Sequence, residues 1–408
     1  MCARWMLSIG VMICLIGGCG GTGEKPKANL FKDDLAVLRV HSDVIVLSDK
    51  AGRGQVAVVP AYQGRVMTST AGGPEGLSFG WVNQKLIKSG ERRQQINPYG
   101  GEERFWIGPE GGQFGIFFSK EAPDFDFKHW QTPAVIDTEA FEVVSSSRSH
   151  ADFTKRTQLA NHTGTQFDIK IDRSVRIMDK ADVEGALGVN IPKGVEFVAY
   201  KSDNKITNLG SDWSKQTGLL SIWILGMFNH SAETTIVIPY AGGDEKELGQ
   251  IVKDDYFGKV PGDRLVVKDN VVFFKGDGKM RSKIGIGPKR VKNICGSYDG
   301  IAKVVTLVKI FLPADVATAD YVNSAWEVQK APYGGDVVNS YNDGPNPSGE
   351  ILGPFYEIES SSCGLELKTS ESVSHNSKTF HFTGSEAELD AITKSTLGVS
   401  LEEIRMSK

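Results

Sequence analysis

Cysteine is scarce in this chain: there are five in 408 residues, and three fall within the first nineteen. Downstream only Cys295 and Cys363 remain. An oxidising compartment would let them pair, and a reducing one would leave them buried, but two thiols make no disulfide framework and there is no CxxC. Histidine is thin too. The seven, at 41, 129, 150, 162, 230, 375 and 381, never fall at a metal-ligand spacing, and a strand-like stretch separates His375 from His381. No metal and no cofactor are expected. There is no GxGxxG after a strand and no GKS/T loop, and "KIGIGPKR" carries Pro288 where a phosphate-binding helix would have to start. A GxSxG elbow is likewise missing. With a formal net charge of −4 and no basic stripe, the chain offers nothing to release counterions, so nucleic acid is not an expected partner.

Long apolar runs are also missing, with one exception at the start. "MCARWMLSIGVMICLIGG" sets a short positive end at Arg4 before an apolar stretch from Met6 to Ile16. That is the pattern of a secretory signal, too short and wrongly flanked to span a bilayer. Ile16-Gly17-Gly18-Cys19 further reads as a bacterial lipobox, its two small residues admitting the peptidase and Cys19 taking the lipid. Residues 1–18 are then a lipoprotein signal peptide and 19–30, "CGGTGEKPKANL", a flexible polar tether. Several acyl chains anchor stably, at about 0.8 kcal/mol per buried methylene. The expected location is the bacterial cell envelope, with the membrane as a partner through Cys19. Gly20 rather than Asp follows, so nothing argues for retention at an inner membrane. Loss of Arg4 with the leader would leave a net charge of −5.

What the chain has in abundance is strand and turn. "FDIKIDRSVRI" (Phe167–Ile177) alternates apolar and polar residues, the period of a half-buried strand. "DRLVVKDNVVFF" reads as two strands about a Lys268-Asp269-Asn270 turn, "KVVTLVKIFL" as an inner strand closed by Pro313, and "KTFHFTG" as another strand. Glycine, at 46 residues, is spread as punctuation rather than gathered into linkers. Residues 31–384 therefore read as one all-β domain, a large antiparallel sandwich. Helix is expected only in 385–408, where Ser385 with Glu388 and Ser400 with Glu403 make capping boxes and Gly398 provides a stop.

Against this scaffold stand dense polar-aromatic clusters. "GGEERFWIGPEGGQFGIFF" (Gly100–Phe118) holds Glu102, Glu103, Arg104, Trp106 and Glu110 between two glycine pairs. "GWVNQKL" adds Trp81 and Asn83. "YVNSAWEVQKAPYGGDVVNSYNDGP" adds Trp326, Glu327, Asp336, Asn339, Asn342 and Asp343, and "GPFYEIES" adds Phe355, Tyr356, Glu357 and Glu359. Turn chemistry accounts for Asp-Gly and Asn-Pro pieces but not for Trp-Glu and Tyr-Glu beside them. Rings that stack on C–H faces, next to planar polar groups that take hydroxyls, suit a sugar. Glu357 and Glu359, two apart on a strand, share a face with Phe355, while Tyr356 and Ile358 point away. Two carboxylates on one face could have one pKa raised, as a general acid or base needs, or could simply be solvated or paired with Arg.

The order of segments "YQGRVMTSTAGG", "SFGWVN", "YGGEERFWIGPEGG", "LANHTGTQFDIKIDRSVRI", "NKITNLGS…SIWILGM" and "FYEIESSSCGLEL" resembles the galactose mutarotase-like (aldose 1-epimerase-like) superfamily, closest to its bacterial lipoprotein members. The likeness runs from about Leu35 to Gly384. It implies a β-supersandwich with a sugar cleft on one concave sheet, and a Trp, here Trp223, inside it. It also implies chemistry in which a Glu takes the anomeric hydroxyl proton while a His protonates the ring oxygen. The base falls on Glu359, with Glu357 as its neighbour; Arg104 resembles the arginine that holds the sugar, and Asp343 an acidic hydroxyl ligand. The departure is at the acid. Relatives carry His after the paired glycines where this chain has Glu102, and His129 is the nearest histidine. Glu102 or Glu103 with Glu359 would make a carboxylate pair, closer to hydrolase or lyase chemistry. The expected site is thus Glu359, Glu357 and Glu102 for catalysis, with Arg104, Trp106, Asn83, Trp326, Asn342, Asp343 and Phe355 holding a monosaccharide or glycan. A lipid-anchored carbohydrate binder without catalysis is the alternative.

Overall fold

The structure, a computed structural model, describes residues 29–346 and 349–407. The leader, Cys19 and nearly all of the tether lie outside the described residues.

Strands supply three sheets, and every pairing within them is antiparallel. A five-stranded sheet runs in the order Ser282–Ile286, Val338–Asn342, Phe355–Ser361, Ser221–Asn229, Arg104–Gly108. It lies on a ten-stranded sheet, and the two bury a shared layer. Phe105, Ile107, Ile222 and Ile224 meet Phe153, Phe167, Ile169 and Ile171 at one end. Phe228, Tyr356 and Ile358 meet Ile236, Val272 and Phe274 at the other. In Gln166–Ile177 the alternation seen in sequence decides which side goes in: Phe167, Ile169, Ile171 and Val175 are buried, and Asp168, Lys170, Asp172 and Ser174 are half-buried on the outer side. Burying one apolar side chain of this size is worth about 1.5–3 kcal/mol, so a one-residue slip that turned the row outward would be costly. The Lys268-Asp269-Asn270 turn is a hairpin with Asp269 and Asn270 both at positive φ, 50° and 63°, as a tight primed turn requires.

A third layer covers part of the ten-stranded sheet. Helices Glu386–Leu397 and Leu401–Met406 press Leu389, Ile392, Leu401 and Ile404 onto Phe380, Phe382, Val305 and Leu307. Both capping boxes read from sequence are formed, by Ser385 with Glu388 and Ser400 with Glu403, and Gly398 ends the first helix at φ 77°.

Helix is not confined to the C-terminus, however. Phe31–His41, Gln84–Ser89 and Lys180–Leu187 are also helical. The first has no side-chain cap at Leu30, so it lacks the signal that marked the last two. It is held instead by packing: Phe31, Leu35 and Leu38, spaced by four and three, bury against Val59, Met67 and Ile87. Cys295 and Cys363 are free thiols.

Candidate functional site

The inner face of the five-stranded sheet belongs to the core; its other face carries the chemistry. Register alone aligns the side chains there. Arg104 and Glu359 both pair with Leu225, Trp106 pairs with Trp223, and Glu357 lies between Met227 and Tyr341, with Lys283 beyond. Because side chains alternate along a strand, Arg104, Trp106, Trp223, Leu225, Glu357, Glu359, Asn339, Tyr341 and Lys283 share one face.

Two buried ion pairs organise it. Arg104 Nη2 donates to Glu357 Oε1 at 2.5 Å, with the two side chains 5% and 8% exposed. Lys283 Nζ donates to Glu359 Oε2 at 2.9 Å, and Trp223 Nε1 donates to the same oxygen at 3.0 Å. Aromatic rings fill the gaps between charges. The Arg104 guanidinium sits 5.0 Å from the Trp106 ring, Lys283 Nζ 4.9 Å from the Trp223 ring, and the two indoles meet edge-on at 5.6 Å. Three atoms in this buried set have no hydrogen-bond partner among the described residues: Glu359 Oε1, Arg104 Nε and Trp106 Nε1.

Loops roof the face. The Trp130 indole donates to Glu110 Oε1 at 3.1 Å, and the Glu110 backbone N–H donates to Ser324 Oγ at 3.2 Å. Trp326 stacks on Trp130 with ring centroids 5.9 Å apart. The glycine pair after Glu110 permits this closure: a Cβ on Gly111 would come within 2.6 Å of the Ala325 carbonyl and 2.8 Å of the Trp326 ring. The earlier pair turns the chain into the strand, Gly101 at φ 125° lying where a Cβ would meet Arg65 Cδ at 2.4 Å. From the far side comes Tyr256, whose hydroxyl bonds to Asp336 and accepts from Asn339 Nδ2 at 3.1 Å. The Lys283 ammonium lies 5.8 Å from its ring.

The electrostatics follow from burial. Burial raises the Glu357 carboxyl above the usual carboxylate range, with the Arg104 guanidinium pulling the other way. Burial likewise pushes Glu110 up to about 7, opposed by Lys283 and reinforced by Glu359. For Lys283 burial disfavours the ammonium, yet the carboxylates of Glu359, Glu110 and Glu357 hold its pKa above the ordinary lysine value. The site therefore sets a cationic Lys283 against Glu359, within electrostatic reach of a Glu110 that titrates near neutrality.

Of the residues singled out in the sequence, Arg104, Trp106, Glu357 and Glu359 converge here, and Trp326 joins from the roof. Phe355 is on the right face but fully buried, stacked between Trp81 at 4.8 Å and Tyr341 at 6.0 Å, so it supports the floor. Asp343 is buried, accepting from the Tyr341 hydroxyl at 2.6 Å and the Gly353 N–H at 2.9 Å.

Three expectations are corrected. Asn83 caps the helix Gln84–Ser89, its Oδ1 accepting from Leu86 N at 3.1 Å. Asn342 lies on the core side of its strand and holds the turn at Gly278 and Met280. Glu102 is turned into the interior, where Oε1 accepts from Ser69 Oγ at 2.7 Å and bonds to His381 Nε2 at 2.8 Å. Glu103 also goes inward, to Arg173 at 2.8 Å. Backbone bonds from Glu102 and Glu103 to Met67 and Val66 take this segment out of simple alternation with Arg104. His129 is on a surface turn facing Asp124 at 3.4 Å. Lys283, Tyr256 and Glu110 are the functional candidates that the sequence reading did not assign. Among the described residues, no His/Cys/Asp/Glu group of three or more is placed to hold a metal ion.

Fold and site together define a layered antiparallel β-sandwich with a roofed cleft of charged and aromatic side chains on one sheet. The chain belongs to the family of unknown function DUF6786, whose model matches residues 29–408. No curated protein matches the sequence. Among solved structures the chain is similar to a candidate aldose 1-epimerase from Escherichia coli K12, at 10% identity and TM-score 0.49, over 84% of this chain and 99% of that one. It is also similar to a galactose mutarotase-like protein from Lactobacillus casei ATCC 334, at 9% identity and TM-score 0.48, over 83% and 100%. A third is the Slr1438 protein from Synechocystis sp. PCC 6803, at 12% identity and TM-score 0.46, over 85% and 98%. At that distance the side chains of the cleft must carry the function.

Proposed function

We propose that the roofed face of the five-stranded sheet binds a carbohydrate and that Glu359 acts on it as a base, in aldose 1-epimerase-like proton-transfer chemistry. The observation that carries this reading is the state of Glu359. One carboxylate oxygen is fixed by Lys283 and Trp223, and the other, in a residue 1% exposed, has no partner among the described residues. An unsatisfied buried acceptor costs about 1–3 kcal/mol, more when charged, and a sugar hydroxyl would relieve that cost. Arg104 Nε and Trp106 Nε1 offer donors to the same ligand, and the indole faces of Trp106 and Trp223 suit its C–H surface. A base must be oriented before it is useful, and the two donors to Oε2 do that. Lipid attachment at Cys19 belongs to the same proposal, placing the cleft at the surface of a bacterial envelope membrane.

Saturation-transfer NMR on a panel of free aldoses, followed by exchange spectroscopy between their anomers, tests the reading. Transfer from at least one sugar is expected, lost in Arg104→Ala, with anomer exchange lost in Glu359→Gln. Absence of transfer from every sugar in the panel would remove the carbohydrate assignment. Transfer without anomer exchange would leave a binder. For the anchor, radiolabelled palmitate should label the wild type and not Cys19→Ala; equal labelling contradicts it.

A further inference from the structure

We infer that Glu110, in the roof of the cleft, is the proton donor that works opposite Glu359. This rests on the carbohydrate reading of the cleft. The Trp130 ring that bonds Glu110 stacks on Phe117 at 5.5 Å, Phe117 packs on Trp106 at 5.4 Å, and Trp106 meets Trp223, which donates to Glu359; the Lys283 ammonium, bonded to Glu359 at 2.9 Å, also favours the ionised Glu110. The two acids thus flank one aromatic and charged cluster, Glu359 from the sheet and Glu110 from a loop. Glu110 is held as a working group must be. The Trp130 indole bonds its carboxyl, its own N–H is tied to Ser324, and Gln329 closes the loop by donating to the Gly111 and Ala325 carbonyls at 3.3 and 2.7 Å.

The other titratable groups are committed elsewhere. Glu357 is spent on Arg104, and Asp336 on Tyr256 and Lys253. His381 serves Glu102 and Thr306 in the interior, and His375 serves Ser360. Among the described residues, Glu110 is the roof carboxyl beside Lys283 that salt-bridges to no cation within 4 Å. Burial also brings its titration to about 7, where a carboxyl still holds a proton at neutral pH.

The chemistry balances without a further reactant. The Glu359 carboxylate removes the proton from the anomeric hydroxyl. The C1–O1 bond becomes a carbonyl as the C1–ring-oxygen bond breaks, and its electron pair takes the proton from Glu110. Rotation about C1–C2 and the reverse steps, with attack on the other carbonyl face, return each proton to its donor and yield the other anomer.

Full-length Glu110→Gln tests the assignment with D-galactose and D-glucose as probes. Gln still accepts from the Trp130 indole, so saturation transfer should persist while anomer exchange falls about 100-fold or more. The wild-type exchange rate should decline as pH rises through about 7, and that decline should vanish in the variant. Unchanged exchange in Glu110→Gln, or a wild-type profile flat from about pH 6 to pH 8, overturns the role of Glu110 and leaves the carbohydrate reading standing. A wild type that binds but does not exchange overturns the role of Glu110 and leaves a binder, and a wild type that binds no sugar of the aldose panel overturns both. If Glu110→Gln does not fold, the wild-type profile decides alone.

Discussion

Removing the Arg104 guanidinium should destabilise the protein in a way that depends on pH. In Arg104→Met the Glu357 carboxyl keeps its buried position but loses its cation, 2.5 Å away, and both partners are at least nine-tenths buried. Breaking a buried pair from one side costs about 3–5 kcal/mol, because the remaining charge is stranded. Unfolding entropy of roughly 2.1 cal/mol/K per residue over about 380 described residues gives about 0.8 kcal/mol/K, so Tm should fall by about 4–6 °C at about pH 10, where the carboxyl is ionised. Burial has already pushed Glu357 up to about 8, and it rises further without Arg104, so the stranded charge, and with it the loss, is present only where pH exceeds that raised value and shrinks at about pH 5, where the carboxyl is neutral. Adding Glu357→Gln removes the stranded charge, and the double variant should recover most of the loss. Thermal melts of the wild type, Arg104→Met and the double variant at about pH 5 and about pH 10 measure this. A double variant no more stable than Arg104→Met, or a loss equal at both pH values, would show that the pair is not the buried element described here.

Glu110 gives a second stability test. Its folded pKa, about 7, is raised above the ordinary 4.5, so its contribution is fully present below 4.5 and is lost as pH rises through 7. Glu110→Gln should therefore flatten part of the fall in Tm across that window; an unchanged slope contradicts it. Glu102→Leu strands the Ser69 and His381 donors and should cost about 1–3 kcal/mol in chemical denaturation, yet leave sugar binding intact because Glu102 faces the core. Loss of binding at unchanged stability would reverse that assignment. Gly353→Ala places a Cβ 2.1 Å from the Trp81 ring, so about 1–3 kcal/mol of overpacking and a disturbed Phe355 are expected, read as a lower denaturation midpoint. A midpoint equal to wild type would mean that Trp81 is free to move.

Local signals were readable and long-range ones were not. The alternation of Phe167–Ile177, the Asp269-Asn270 turn and the Ser385 and Ser400 capping boxes each depend on residues a few positions apart, and each is formed as read. The shared face of Phe355, Glu357 and Glu359 likewise follows from strand period alone. Lys283 does not. It enters the site because Ser282–Ile286 pairs with Val338–Asn342, which pairs with Phe355–Ser361, and no local pattern in "KIGIGPKR" announces that register. Asn83 and Asn342 show the reverse error, since an Asn beside an aromatic residue reads as a ligand until a helix start or a turn claims its amide. Glu102 misled for a third reason: it stands two residues before Arg104, but backbone bonds to Met67 break the alternation that would have put them on one face.

The most direct measurement is a crystal structure of the full chain grown with an aldose that shows saturation transfer. The sugar should lie on the five-stranded sheet beneath Trp326 and Glu110, with a hydroxyl within hydrogen-bond distance of Glu359 Oε1 and its ring against Trp106 or Trp223. A sugar bound elsewhere, with Glu359 Oε1 facing only protein, would contradict this placement.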